Sequence, residues 1–329
     1  MATINEIAER ASVSRTTVSR VINNSGYVSE DAKRRVLKAI EETGYIPSEY
    51  AKSLRTKKTK VIGVILPKIS TETSSRLVKG LDEVFAKEGY QILLTNTNLN
   101  PEKEIEYLRL LKSRHVDGII LSATIINQPL VEEISQLNIP FVTVGQQISG
   151  ISNVLFDDYQ ASKELVYLMI KKGYNQIAFI GVDEEDRSVG YLRKAGYLDA
   201  MKENNLPIED SWVQKGIFDV DSGYHCMSRI MKLSKQMPVA VLAVTDRLAI
   251  GAMQYIKDAG LSIPDEMAVA GMGASELSRF ISPALTTIDF SIEEVGSEAA
   301  GLLLEQINDG NTQGKNRKIK YRLIERSSI

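Results

Sequence analysis

The sequence predicts an α/β protein in which two lobes of parallel sheet follow an N-terminal all-α headpiece of the helix-turn-helix kind. Three observations carry this expectation. From residue 61 onward, apolar runs of strand length alternate with amphipathic helical stretches. The alternation restarts near residues 153–160, which divides the large region into two similar lobes. The first 45 residues hold three short helical patterns, each placed behind a capping residue.

In the first of these helices, Ile4, Ile7, Ala8 and Ala11 share one face, with Thr3 as N-cap and Glu6 as its capping-box partner. After Val13, Ser14 is placed to cap a second helix that directs Val18, Val21 and Ile22 at the first. The short connection makes a tight turn and leaves Arg15, Thr16 and Arg20 together on the solvent side. Arginine can reach guanine O6 and N7 in two-pronged fashion, and threonine offers a hydroxyl and a methyl, so this face suits the reading of base edges. A solvated charged helix face is the plainer alternative. Ser29 opens the third helix, whose Ala32, Val36, Leu37 and Ile40 are expected to close a small core.

Charge divides along the same boundary. Residues 1–60 carry 12 Lys/Arg against 7 Asp/Glu, whereas the rest carries 28 against 35. The positive part ends in KSLRTKKTK, residues 52–60, with five cations and no acid. Such a run fits a segment held against phosphates and also fits a solvated linker.

Beyond residue 60 the strand-like runs are VIGVILP, YQILLT, DGIILS, PFVTVG, QIAFIGV, AVLAVT, MAVAGMG and LTTIDF. Between them lie amphipathic helices with marked ends, such as Asn100 as a cap with Pro101 at the first helical position, and Gly89 after the preceding helix. Buried strands alternating with helices read as parallel sheets covered on both faces.

Composition narrows the function classes. A length of 329 residues with 43% hydrophobic and 25% charged content describes two or three ordinary domains. One cysteine, Cys226, excludes an internal disulfide framework, and two histidines, His115 and His225, are too few for a zinc site. We expect no cofactor and no metal. No apolar run spans a bilayer and the charged start lacks an apolar signal segment, so the expected location is the cytoplasm, with no membrane partner. No phosphate-binding loop, complete dinucleotide fingerprint or nucleophile elbow occurs, and an enzyme is not expected. The acidic run at residues 183–186 reads as a solvated loop.

The stretch from residue 3 to residue 47, with its A-x-V-S-x-x-T-V-S-R-V-I-N core and G-Y-x-P exit, resembles the LacI/GalR headpiece throughout. The resemblance implies that Arg15, Thr16 and Arg20 face bases, while Ser14, Thr17 and Asn23 lie nearer the phosphates. Residues 48–60 are similar to the family's hinge, a short helix that orders on operator DNA and wedges a leucine into the minor groove. Ala51 and Leu54 match it, although Ser48 stands where the family usually has Asn. Residues 61–329 resemble the family's periplasmic-binding-protein-like domain through V-D-G-I-I, R-K-A-G-Y, T-D-R-L-A-I-G and P-A-L-T-T-I. This implies a ligand cleft between the lobes, the last long helix in the first lobe and the final strand in the second. It further implies a homodimer on a palindromic operator, with larger assemblies left open.

Open parallel sheets bind ligands beyond the carboxyl ends of their strands. By that rule the effector-contact candidates are Thr73, Ser74, Gln146, Arg187, Arg193, Phe218 and Asp246. Thr73 and Ser74 fall where purine-binding relatives carry aromatics. Asp246 could instead be a simple helix cap, and Arg193 could pair with a surface carboxylate. Gly271-Met272-Gly273-Ala274 replaces the common G-F-D-[DN], losing a carboxylate that usually meets sugar hydroxyls; the pattern is similar to repressors of sucrose- or trehalose-type disaccharide operons. The expected function is repression of a carbohydrate-utilisation operon relieved by a sugar or sugar phosphate. A family alternative is a global carbon-catabolite regulator controlled by a phosphorylated carrier protein on the outer surface of the first lobe.

Overall fold

The computed structural model describes residues 2–45, 58–310 and 312–329. The chain forms two compact units, Met1–Thr59 and Lys60–Ile329.

The first unit contains α1 (Ile4–Arg10), α2 (Arg15–Ile22) and α3 (Glu30–Thr43). Each begins at the expected hydroxyl: Thr3 Oγ1 accepts from Glu6 N at 3.3 Å, Ser14 Oγ from Thr17 N at 3.1 Å and Ser29 Oγ from Ala32 N at 3.3 Å. These bonds satisfy backbone donors that the first turn leaves open. The capping box at α1 is only half made, because the Glu6 carboxylate is engaged by Arg10 Nη2 at 3.1 Å, one turn along the helix. Ser12, at φ 50°, makes the turn between α1 and α2. Ile7, Ala8, Ala11, Val18, Val36 and Ala39 form the core, flanked by Val21, Ile22 and Ile40. Leu37 does not join them. It is 51% exposed, because α3 packs through the stripe of Ala32, Val36, Ala39 and Ile40, and residue 37 lies off that stripe.

The second unit opens with β1 (Val61–Leu66), α4 (Glu72–Phe85), β2 (Gln91–Asn96), α5 (Pro101–Ser113), β3 (Gly118–Ser122), α6 (Gln128–Ser135), β4 (Phe141–Val144) and β5 (Ser152–Phe156). The chain then builds a second lobe from α7 (Asp158–Lys171), β6 (Ile177–Gly181), and a π-helical turn (Arg187–Leu192) that runs into α8 (Arg193–Glu203). After these come β7 (Val213–Lys215), α9 (Val220–Leu233), β8 (Ala240–Ala243), α10 (Asp246–Asp258), β9 (Ala268–Met272), α11 (Leu277–Phe280) and β10 (Thr286–Asp289). It returns to the first lobe with α12 (Ile292–Asp309) and β11 (Asn316–Ile319), and ends in the second with β12 (Arg322–Ile324).

Each lobe holds one six-stranded sheet, in the orders β11-β5-β4-β3-β1-β2 and β12-β10-β9-β8-β6-β7. All neighbours are parallel except β10 and β12. Strands β1, β3, β4, β6, β8, β9 and β10 are almost wholly buried, which explains their uninterrupted apolar character. Helix α12 lies in the first lobe and packs against α4 at unusually short range. A Cβ at Gly80 would stand 2.0 Å from Glu293 O, and one at Gly296 would stand 2.4 Å from Leu77 O. Only glycine permits this backbone contact. Among the described residues, no helix is long and apolar enough to cross a membrane.

Candidate functional site

The exposed side of α2 carries Arg15, Thr16 and Arg20, as its inward stripe through Val18 requires. Ser14 and Thr17 are joined, their hydroxyls 2.9 Å apart, at the N-terminus of the same helix. Asn23 closes the helix, its Nδ2 donating to Ser19 O at 2.7 Å. The loop beyond α2 adds Tyr27, 88% exposed, which the inward-facing pattern gave no reason to single out. Ala51 and Leu54 lie outside the described residues, as does the expected hinge of residues 48–60 up to residue 57.

In the second unit the carboxyl ends of β1, β3, β4, β8 and β9 converge with the starts of α4, the π-helical turn and α10 around a cavity of about 500 Å³. Both lobes line it. Six of the seven predicted effector residues are there: Thr73, Ser74, Gln146, Arg193, Phe218 and Asp246. Arg187 is not. It is exposed and stacks over the Tyr191 ring at 5.6 Å, because the π-helical turn presents Ser188 and Val189 to the cavity instead.

Arg193 is only 6% exposed and already holds groups of the chain itself. Its Nε donates to Asp158 Oδ1 at 2.7 Å, its Nη1 to Val244 O, and its guanidinium lies 4.5 Å from the Phe290 ring centroid. The carboxylate it meets is therefore a buried one, not the surface group the sequence allowed. Asp246 does not cap its helix; Thr245 does, accepting from Leu248 N at 3.3 Å. Asp246 instead accepts from Thr287 Oγ1 at 2.5 Å and from Ser275 N at 2.6 Å, tying β10 to the loop after β9. Burial pushes its carboxyl above the ordinary range, and these donors pull the other way. Gly273, at φ 138°, puts no side chain beside it, and the nearest atoms to a Cβ there are Asp246 Cγ and Oδ2 at 3.8 Å.

The cavity is bridged on two sides. Gln146 Nε2, from the first lobe, donates to Thr124 O at 2.8 Å and to Asp186 Oδ1 of the second lobe at 2.9 Å, while Ser188 Oγ donates to Gly145 O. On the other side Arg76 Nη1 donates to Gly273 O at 3.2 Å, and both Glu72 oxygens accept from Glu276 N at 2.9 Å. The sequence reading missed Asp186, Glu72 and Arg76. Asp186 sits at the end of an acidic run, but unlike Asp183, Glu184 and Glu185 it is buried, and burial raises its carboxyl to about 6.

Two families match the chain: bacterial regulatory proteins of the lacI family over residues 3–48, and the periplasmic binding protein-like domain over residues 166–329. The chain is 34% identical over 327 residues to the HTH-type transcriptional regulator RegA of Clostridium saccharobutylicum, covering 99% of this chain and 98% of that one. It is 33% identical to the HTH-type transcriptional repressor PurR of Actinobacillus pleuropneumoniae, covering 100% and 98%. Among solved structures, the lac repressor dimer bound to operator and the anti-inducer ONPF superposes with a TM-score of 0.90 at 24% identity, over 99% of this chain and 98% of that one.

Proposed function

Because this chain belongs to the lacI family of bacterial regulatory proteins and is a DNA-binding transcriptional regulator, not an enzyme, we propose that it represses a carbohydrate-utilisation operon and is released by a sugar bound between its lobes. The observation that carries this reading is the cavity itself, where Asp246 and Arg193 from one lobe and Gln146 from the other converge on a space of about 500 Å³. Carboxylate, guanidinium and amide groups suit ligand hydroxyls, and Phe218, Phe156 and Phe290 suit the apolar face of a sugar ring.

In this reading Arg15, Thr16 and Arg20 contact bases and Ser14, Thr17 and Asn23 contact the backbone of a palindromic operator. Ala51 and Leu54 act in the hinge, within a division of the chain into residues 1–47, 48–60 and 61–329. The regulator works in the cytoplasm as a homodimer. Exposed Phe280, Leu277 and Ile217 of the second lobe, at 72%, 63% and 61%, and Leu93 and Leu94 on edge strand β2 supply apolar surface for that association. Control by a phosphorylated carrier protein fits less well, since the exposed side of α12 in the first lobe presents Glu294, Glu298 and Glu305. For induction the sugar must prefer the DNA-incompetent arrangement, because equal affinity for both shifts nothing.

Arg20→Ala is expected to cost operator preference about 1–3 kcal/mol, the usual range for a two-pronged base contact. A salt-matched titration of operator against random DNA measures it, and unchanged discrimination would remove α2 from the reading surface. Adding the cognate sugar should weaken operator binding by the unaltered chain. A sugar that instead strengthened it would reverse the sign of control.

A further inference from the structure

We infer that the cleft takes an uncharged glycoside and turns away the phosphate esters of the same sugar. The inference rests on the effector site proposed above and decides the charge of what that site accepts.

Proteins hold phosphate groups at open helix N-termini or on cations with free donors. The cavity offers little of either. Four of its helical starts carry one of the chain's own carboxylates in or beside the first turn. Glu72 lies in the first turn of α4, and its two oxygens take the N–H of Glu276, just before α11. Asp186 caps the π-helical turn by accepting from Val189 N at 2.9 Å, and Asp219 caps α9 by accepting from Ser222 N at 2.8 Å. Asp246 is the first residue of α10. The positive ends of these helices are thus offset from within.

The two arginines deepest in the wall already hold groups of the chain itself. Arg193 is bound to Asp158 and to Val244 O, and Arg76 is bound to Asp289 Oδ1 at 3.2 Å and to two backbone carbonyls. The other two lining cations, Lys68 and Arg247, are half-buried and exposed respectively, so water competes for them. An anion entering the cavity would instead meet Asp186 and Asp246, 6% and 3% exposed. Both are already pushed toward the protonated form by burial, and a further negative charge would push them higher.

Besides these acids, what the cavity offers is uncharged. Phe156 and Phe290 meet edge to face with centroids 5.4 Å apart, and Phe218, Leu77, Ile250 and Met272 add apolar wall. Gly273 leaves open space beside the Asp246 carboxylate. Hydroxyls can be read by carboxylate acceptors there while carbon faces lie on the rings.

Isothermal titration calorimetry of the full-length protein tests this with glucose, galactose, sucrose, trehalose and cellobiose beside their phosphate esters. At least one uncharged sugar should bind, and its ester should bind at least about tenfold more weakly, since like charges set against each other weaken association. Asp186→Asn keeps a side chain able to cap Val189 N and removes one negative charge, so the gap should narrow severalfold; rejection by shape alone would leave it unchanged. An ester that binds as tightly as its parent, or a gap untouched by Asp186→Asn, overturns the inference and leaves the carbohydrate reading standing. Heat from none of the sugars or esters overturns both.

Discussion

Replacing Arg193 by alanine is expected to lower the stability of the second unit by about 3–5 kcal/mol, the range for removing one partner of a buried ion pair. Asp158 is 1% exposed and its Oδ2 already has no hydrogen-bond partner, so the guanidinium is the cation that compensates it. The variant should lose its effector response as well, but stability is the sharper measurement, because a residue that touched only ligand would leave unfolding unchanged. Chemical denaturation of the full chain reads it. Removing the charge too, in Arg193→Met with Asp158→Asn, should recover much of the loss, since an uncompensated carboxylate costs more than a neutral pair. A loss below about 1 kcal/mol in the single variant would place Arg193 among pairs that contribute little.

Glu104→Gln is expected to stabilise the protein, and only at higher pH. Glu104 lies on α5, is 2% exposed, accepts the Thr124 N–H, and leaves Oε2 unpartnered. Burial raises its carboxyl from 4.5 to about 8, with the Thr124 bond opposing the rise. Between those two values the folded chain holds a proton that the unfolded chain has released, so the parent loses stability as pH climbs through that window and levels off above it. The amide keeps the acceptor for Thr124 and has no proton to lose. The variant should therefore match the parent near pH 4 and exceed it by about 2–4 kcal/mol near pH 8. Melting curves across that range decide the matter, and parallel pH profiles would mean that Glu104 ionises freely.

These two residues also mark where the sequence can and cannot be read. The buried strands are legible because water is excluded from both faces, which demands unbroken apolar runs. The helix starts at Ser14, Ser29 and Asn100 are legible because a capping hydroxyl or amide is a local need that neighbours do not alter. Strand β11 is not, since its side chains are largely exposed and it reads Asn-Arg-Lys-Ile. Most cleft residues follow from the rule that ligands meet strand ends. Asp186 escapes it, because a buried acid and a solvated one look alike inside the run at 183–186. Arg187 is placed wrongly for a related reason, since nothing in the sequence announces that the helix there takes the wider π form and carries the side chain outward. Glu104 is invisible to pattern, being one of several acids at the start of an amphipathic helix.

The chain passes between the lobes three times, between Phe156 and Asp158, between Asp289 and Ile292, and between Ile319 and Arg322. A pair of bodies joined by one tether can swing and twist in many directions. Three short tethers remove most of that freedom and leave a single bend as the easy coordinate. Asp289 stiffens the middle tether further, holding Arg76 at 3.2 Å and Arg322 at 2.7 Å. A ligand in the cavity is then expected to act through one number, the angle between the lobes, so that its bulk would be converted into a geometric signal before it reached any other part of the molecule.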